Sequence, residues 1–176
     1  MYAPINREPR GLVVPVFMCP SFPYYGRSSE GDPAPPSCYA GCHHDSEAPI
    51  DVDNNGLLFL NSRIRYQDIL DGSSNTILLG ELVPSQSDLG WVSGTRATLR
   101  NTGSMILSMT GQQPTQQQLE VPAGGLGVGV FGSYHAGGGN FGLADGAVRF
   151  VADSIDPKLF QQLGHRADGE LMKLDW

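Results

Sequence analysis

The chain has 176 residues, of which 23 are glycine, 13 are proline and 16% are charged, against about 25% charged in ordinary soluble domains. That length suits one domain with a core of its own, and the glycine and proline content argues against a helical bundle in favour of a loop-rich, β-leaning fold. The net charge of −7, with Lys158 and Lys173 the only lysines, leaves no basic patch for reading nucleic acid.

No run approaches the ~20 apolar residues of a membrane span, and no stretch reads as a secretory leader. Residues 1–10 are polar and contain Pro4 and Pro9; alone, such a tail is disordered. Leu12–Met18 is apolar and strand-like through Val13, Val14, Val16 and Phe17, and Pro15 confines it to an edge. Residues 1–18 therefore read as an arm or edge strand that docks on its own body or pairs with a sheet in another copy. Residues 19–176 read as one globular domain.

Cys19-Pro20-Ser21 leads into a proline-rich linker through Pro36. The stretch CYAGCHHD, Cys38 to Asp45, follows. Three cysteines in an exported protein read as one disulfide and one leftover thiol. Two sharper readings compete. Cys38-x3-Cys42-His43 is a stretched form of the haem-attachment pattern, with Cys38 and Cys42 as thioether positions and His43 as iron ligand. Cys38, Cys42, His43 and His44 also form a zinc-type set, although structural zinc draws its ligands from separated pairs.

Asp51-Val-Asp53-Asn-Asn55-Gly56 matches the start of a calcium loop, with Asp51, Asp53 and Asn55 as oxygen ligands. Ser62 stands where a bidentate Glu belongs, and the same residues favour a plain turn. Gly56–Asn61 reads as a buried strand. Ile64–Leu70 reads as a short strand running into one helical turn, and Asp71–Asn75 as a turn. Thr76–Val83 reads as a second buried strand. It carries Glu81, whose carboxylate needs a partner there; Arg63, Arg65, Arg96 and Arg149 are the candidates. Trp91–Leu99 reads as a further strand element, and the Gln-rich Thr110–Val121 as an exposed polar excursion. Gly124–Gly129 lacks the Lys-Ser/Thr and the helix of a phosphate loop.

Asn140–Val151 is the strongest local signal. Asp145-Gly146 between two apolar-bearing runs predicts a hairpin with a two-residue type I′ turn. Ala136–Gly139 predicts a tight loop carrying His135, which is ten positions before Asp145. His135 pairs with Asp145 across the hairpin base or bonds to the loop backbone. Asp156 and Pro157 predict the start of a short helix with Leu159, Phe160 and Leu163 on its apolar face, ended by Gly164. The tail reads as a strand or hook that packs Trp176. Neither G-x-S-x-G nor H-E-x-x-H occurs.

His135, nine residues and Asp145-Gly146 resemble the C-terminal H-X9-DG motif of bacterial prepilin-like proteins, the domain-of-unknown-function 1559 family. Four further stretches fit in order: Phe17–Pro23, Ser37–Gly41, Ile64–Glu81 and Phe131–Gly138. The resemblance spans roughly Val13 to Val151. It implies an α+β fold like a type IV pilin head, mostly antiparallel β with long Gly/Pro-rich loops and a short C-terminal helix. It also implies a disulfide, with Cys19–Cys42 favoured over Cys19–Cys38, because family members carry cysteines at corresponding places. On this basis the expectation is a non-enzymatic structural subunit of an extracellular or secretion-related assembly, with other copies of itself as partners. The alternative is an extracellular module that binds calcium or carries haem.

Overall fold

The computed structural model describes residues 3–23, 35–84, 89–104, 106–109 and 126–170. The polar excursion at 110–121, the tail beyond 170 and most of the proline-rich linker lie outside the described residues. The main sheet is built from β1 (Tyr39–His44), β2 (Ile77–Glu81), β3 (Leu99–Asn101), β6 (Gly138–Leu143) and β7 (Val148–Ala152), in the order β3-β1-β2-β6-β7. Only the β1–β3 pair is parallel; β1–β2, β2–β6 and β6–β7 are antiparallel. β4 (Leu107–Ser108) and β5 (Gly132–Ser133) form a separate parallel pair. The fold is thus α+β around a mostly antiparallel sheet, as expected.

One helical turn, α1 (Arg7–Arg10), lies in the N-terminal arm, and the sheet buries one face under the C-terminal helix α2 (Pro157–Gly164). Pro at the first helical position and the Asp156 carboxylate, which accepts the Leu159 N–H at 3.0 Å, start this helix as the sequence predicts. Phe160 and Leu163 of α2 join Ile77, Phe131, Phe141 and Leu143 in the main core, all essentially fully buried. Phe141 sits edge-on to both Phe131 and Phe160, with centroids 5.2 and 5.6 Å apart, an arrangement that adds to the burial of the rings. A Cβ on Gly80 would stand 2.5 Å from the Phe141 ring, so β2 meets this aromatic stack only with glycine there. A second cluster gathers Met18, Cys19, Phe22, Cys38, Val83, Met109 and Tyr134 at the other end of the sheet.

Five local expectations are corrected. The hairpin joining β6 to β7 closes at Leu143 and Ala147, with Leu143 N–H on Ala147 O at 2.8 Å, so its loop is the three residues Ala144–Gly146. Gly146 has φ +88°, whereas Asp145 keeps a negative φ and caps Ala147 N–H at 2.8 Å. This is a turn finished by a left-handed glycine rather than a type I′ pair. The predicted loop at Ala136–Gly139 is shorter than expected, since Gly138 and Gly139 already belong to β6.

Gly56–Asn61 is not a strand. β2 pairs with β1 only over Tyr39–Gly41, and this segment meets β1 just beyond as a bend, with Gly56 N–H donating to His43 O and Leu57 and Leu58 N–H both donating to Cys42 O. Leu58 fills the place over Gly41. Leu12–Met18 is not a strand either: Pro15 opens a 3-10 turn over Pro15–Phe17. It docks on its own body, where Phe17 packs on Trp91 at 5.7 Å and the Trp91 indole N–H donates to Leu12 O at 2.8 Å. Trp91–Thr98 is a run of turns, and strand structure begins only at Leu99.

Gly80→Ala is expected to lower the unfolding free energy by about 1–3 kcal/mol through overpacking, read from urea unfolding. Unchanged stability would show that the aromatic stack has room to shift.

Candidate functional site

Glu81 is the last residue of β2 and only 3% exposed. No arginine pairs with it among the bonds of the described residues, contrary to expectation; its partners come from loops and strands distant in sequence. Oε2 accepts the Ser133 hydroxyl from β5 at 2.8 Å, the Asn140 backbone N–H from β6 at 2.7 Å and the Asn140 amide at 3.3 Å. Oε1 lies 3.0 Å from Nε2 of His135 and 3.5 Å from the Cys19 thiol. The triangle closes with Cys19 Sγ 3.6 Å from His135 Nε2. Gly139 makes the room: a Cβ there would press on Ser133 at 3.2 Å and Glu81 Oε2 at 3.4 Å.

Each member is held by local structure. The turn at Cys19–Phe22, closed by Phe22 N–H on Cys19 O, sits beside β1 because Cys38 N–H donates to Phe17 O at 2.7 Å. The loop bearing His135 is tied by its own N–H to Ser133 Oγ at 3.0 Å and by its carbonyl to the Ser108 hydroxyl of β4 at 2.8 Å. Ser21 Oγ faces the other imidazole nitrogen, Nδ1, at 3.5 Å. Cys19 and Glu81 are buried, whereas a third of the His135 side chain reaches solvent. Burial foremost, with the neighbouring Glu81 charge, pushes the Cys19 thiol above its ordinary value.

This geometry constrains the chemistry. A hydrogen bond from His135 to Glu81 Oε1 puts a proton on Nε2, so the thiol meets an N–H rather than a basic lone pair. A cysteine nucleophile needs the opposite arrangement, its base nitrogen free and the carboxylate on the other one. The three donor atoms instead converge on one point, all within 4.8 Å of one another. A second convergence, Asp71, His165 and Asp168, is engaged with backbone. Asp71 accepts the Asp168 and Gly169 N–H groups at 2.6 and 2.9 Å, and His165 Nδ1 accepts Ala167 N–H at 2.9 Å.

The other expected residues do not gather. Asp145 caps its turn, and its hydrogen bond goes to Ala147 rather than His135. Cys19 and Cys42 belong to different core clusters and all three cysteines are free, so the Cys19–Cys42 pairing is not the arrangement present. Along extended β1, Cys42 and His43 point to opposite faces, which separates the haem-type set Cys38, Cys42, His43 and the zinc-type set alike. Cys42 is fully buried against Gly164 O at 3.7 Å. His43 is buried with Nδ1 3.4 Å from Asn54 Oδ1; burial foremost holds its pKa below the ordinary 6.5. His44 lies on Asp45 at 2.8 Å. In the Asp51–Asn55 turn, Asp51 caps Val52 N–H at 2.6 Å and Asn55 turns its oxygen to Asp45 N–H at 3.0 Å. Asp53 is exposed.

Comparison with protein-family models matches residues 2–158 to a family described as a protein of unknown function, DUF1559. The chain belongs to the DUF1559 family. No curated protein and no solved structure matches it. The stretches that carried the resemblance meet at the cluster: Cys19 lies in the first, Glu81 in the third and His135 in the fourth. Tyr39, from the second, is the register partner of Glu81.

Burial pushes the Cys38 and Cys42 thiols up to about 11 and about 12 from an ordinary 9.0. Their contribution to stability is therefore whole below pH 9 and is lost as pH rises toward those values, because only the unfolded chain ionises. Stability is expected to fall from about pH 9 upward at up to ~1.4 kcal/mol per pH unit per thiol, with a shallower fall in Cys42→Ala. A flat alkaline profile would contradict the burial. Unfolded under non-reducing conditions, the chain should present three thiols to a thiol reagent; one would instead reveal a disulfide.

Proposed function

We propose that this DUF1559 domain is a structural, non-enzymatic subunit of an extracellular or secretion-related assembly, the head of a pilin-like protein, and that it contacts other copies through the open face of its sheet. The observation that carries this reading is apolar surface on the outermost strand. β7 pairs with β6 alone among the described residues, and its Val148 and Phe150 are 65% and 51% exposed. Leu79 of β2 extends the same face, lying against Gly142, which is in register with Val148. Covering an aromatic or branched side chain of this kind contributes about 2 kcal/mol. An unpaired, apolar edge is a template for association unless something blocks it.

The N-terminal arm was the expected exchange element, but its apolar segment is a 3-10 turn docked on Trp91. The open face at β7 takes over that role. Ile5, Leu12, Val13 and Val16 remain exposed on the arm and add apolar surface to the same kind of contact.

The test is sedimentation and electron microscopy of the untagged chain as released from cells. Ordered oligomers or filaments that Phe150→Asp together with Val148→Asp reduces to monomers are the expected result. A wild-type chain that stays monomeric throughout the micromolar range would contradict the proposal.

A further inference from the structure

The cluster at the end of β2 has the dimensions of a metal site. We propose that the chain binds one zinc-class divalent ion there, through Cys19 Sγ, Glu81 Oε1 and His135 Nε2, with a fourth position open toward solvent. Tetrahedral zinc with ordinary bond lengths sets its sulfur about 3.6 Å from a nitrogen or oxygen ligand, and nitrogen and oxygen about 3.4 Å apart. The corresponding separations here are 3.6 Å for Cys19 to His135, 3.5 Å for Cys19 to Glu81 and 3.0 Å for His135 to Glu81. Only the last must widen, by about 0.4 Å on that comparison, as its hydrogen bond gives way to two bonds to the ion.

The surroundings are those of a prepared site. A ligating carboxylate needs its second oxygen fixed, and a ligating imidazole needs a partner for its other nitrogen. Glu81 Oε2 is held by Ser133 and Asn140, and His135 Nδ1 faces Ser21 Oγ. Sulfur, nitrogen and oxygen together suit zinc or cobalt better than calcium or magnesium, which take oxygen alone. The charges also balance: the thiolate of Cys19 and the carboxylate of Glu81, both buried, neutralise a divalent ion. Binding expels the thiol proton to solvent, while the imidazole proton moves from Nε2 to Nδ1, where it is donated to Ser21. One proton is released per ion, and nothing is oxidised or reduced. The three ligands come from the N-terminal segment, β2 and the β5–β6 loop, so the ion would clamp three separate parts of the chain. The proposal does not depend on assembly through β7.

The test uses the full chain, stripped with a chelator and titrated with Co²⁺ and then Zn²⁺. One Co²⁺ per chain is expected, with the visible bands of four-coordinate cobalt and a thiolate-to-cobalt charge-transfer band, both removed by Zn²⁺. Cys19→Ser should abolish the charge-transfer band, whereas Cys38→Ala and Cys42→Ala should keep it. His135→Ala, which alters a partly exposed side chain, should weaken affinity by about 100-fold or more, since loss of an outer partner alone costs 10–100-fold. Circular dichroism establishes that each variant is folded, and the His135 variant decides the matter if Cys19→Ser is not. A native chain without the band, a band that survives Cys19→Ser, or an affinity indifferent to His135→Ala would overturn the proposal.

Discussion

The structure depends on one buried carboxylate. Moving an ionised carboxyl group out of water costs several kcal/mol even after the protein relaxes. Glu81 avoids that cost only where a hydroxyl, a backbone amide and an imidazole all reach it. Those donors sit on β5, on β6 and in the loop between them, and the Cys19 thiol adds the N-terminal segment. A shift of β6 by one residue would take the Asn140 N–H away and turn Gly139, where a Cβ would crowd Ser133 at 3.2 Å, out of place. The register of the sheet and the geometry of the site are therefore the same constraint.

The rest of the domain keeps these pieces in reach. The main core, centred on Phe141 between Phe131 and Phe160, fixes β6 against β2 and α2. A second carboxylate does comparable work at the far edge: Glu47 accepts Val128 and Gly129 N–H at 2.6 and 3.1 Å and the Asn101 amide at 2.9 Å. Long loops with few apolar residues are thus tied to the sheet by hydrogen bonds donated to two carboxylates, the buried Glu81 and the exposed Glu47, rather than by helices. The surface left over is uneven. The inner face is filled by α2, whereas the outer face at β7 keeps Val148 and Phe150 in water, and this imbalance underlies the proposed contact between copies.

Much of this was legible in the sequence wherever local chemistry decides structure. The cap and proline of α2, the hairpin at Asp145-Gly146, the strand at Thr76–Val83 and the cost of its Glu81 all follow from short-range rules. Family membership was legible too, from five loose stretches taken together. The errors arose where topology overrides propensity. LLFL at 57–60 has strand character but bends against β1, with two successive N–H groups on the one Cys42 carbonyl, and the valines before Phe17 yield to Pro15 and the hold of Trp91. The site was half-read: Glu81 and His135 were singled out apart, one matched to arginines and the other to Asp145. Their real partner, 54 residues apart in one direction or the other, is visible only once β2 lies beside β6. The cysteines misled because thiol count carries no distances. Cys19 and Cys42 are close enough in sequence to pair, yet β1 carries them into separate clusters.

The measurement that bears most directly on this account is a double-mutant cycle between Glu81→Gln and His135→Asn, read by urea unfolding of metal-free protein. If the carboxylate organises the site as described, the two changes are strongly coupled, by about 1–3 kcal/mol. Losses that simply add, within about 0.3–0.5 kcal/mol, would mean that Glu81 and His135 do not depend on each other, and the central interaction would fall.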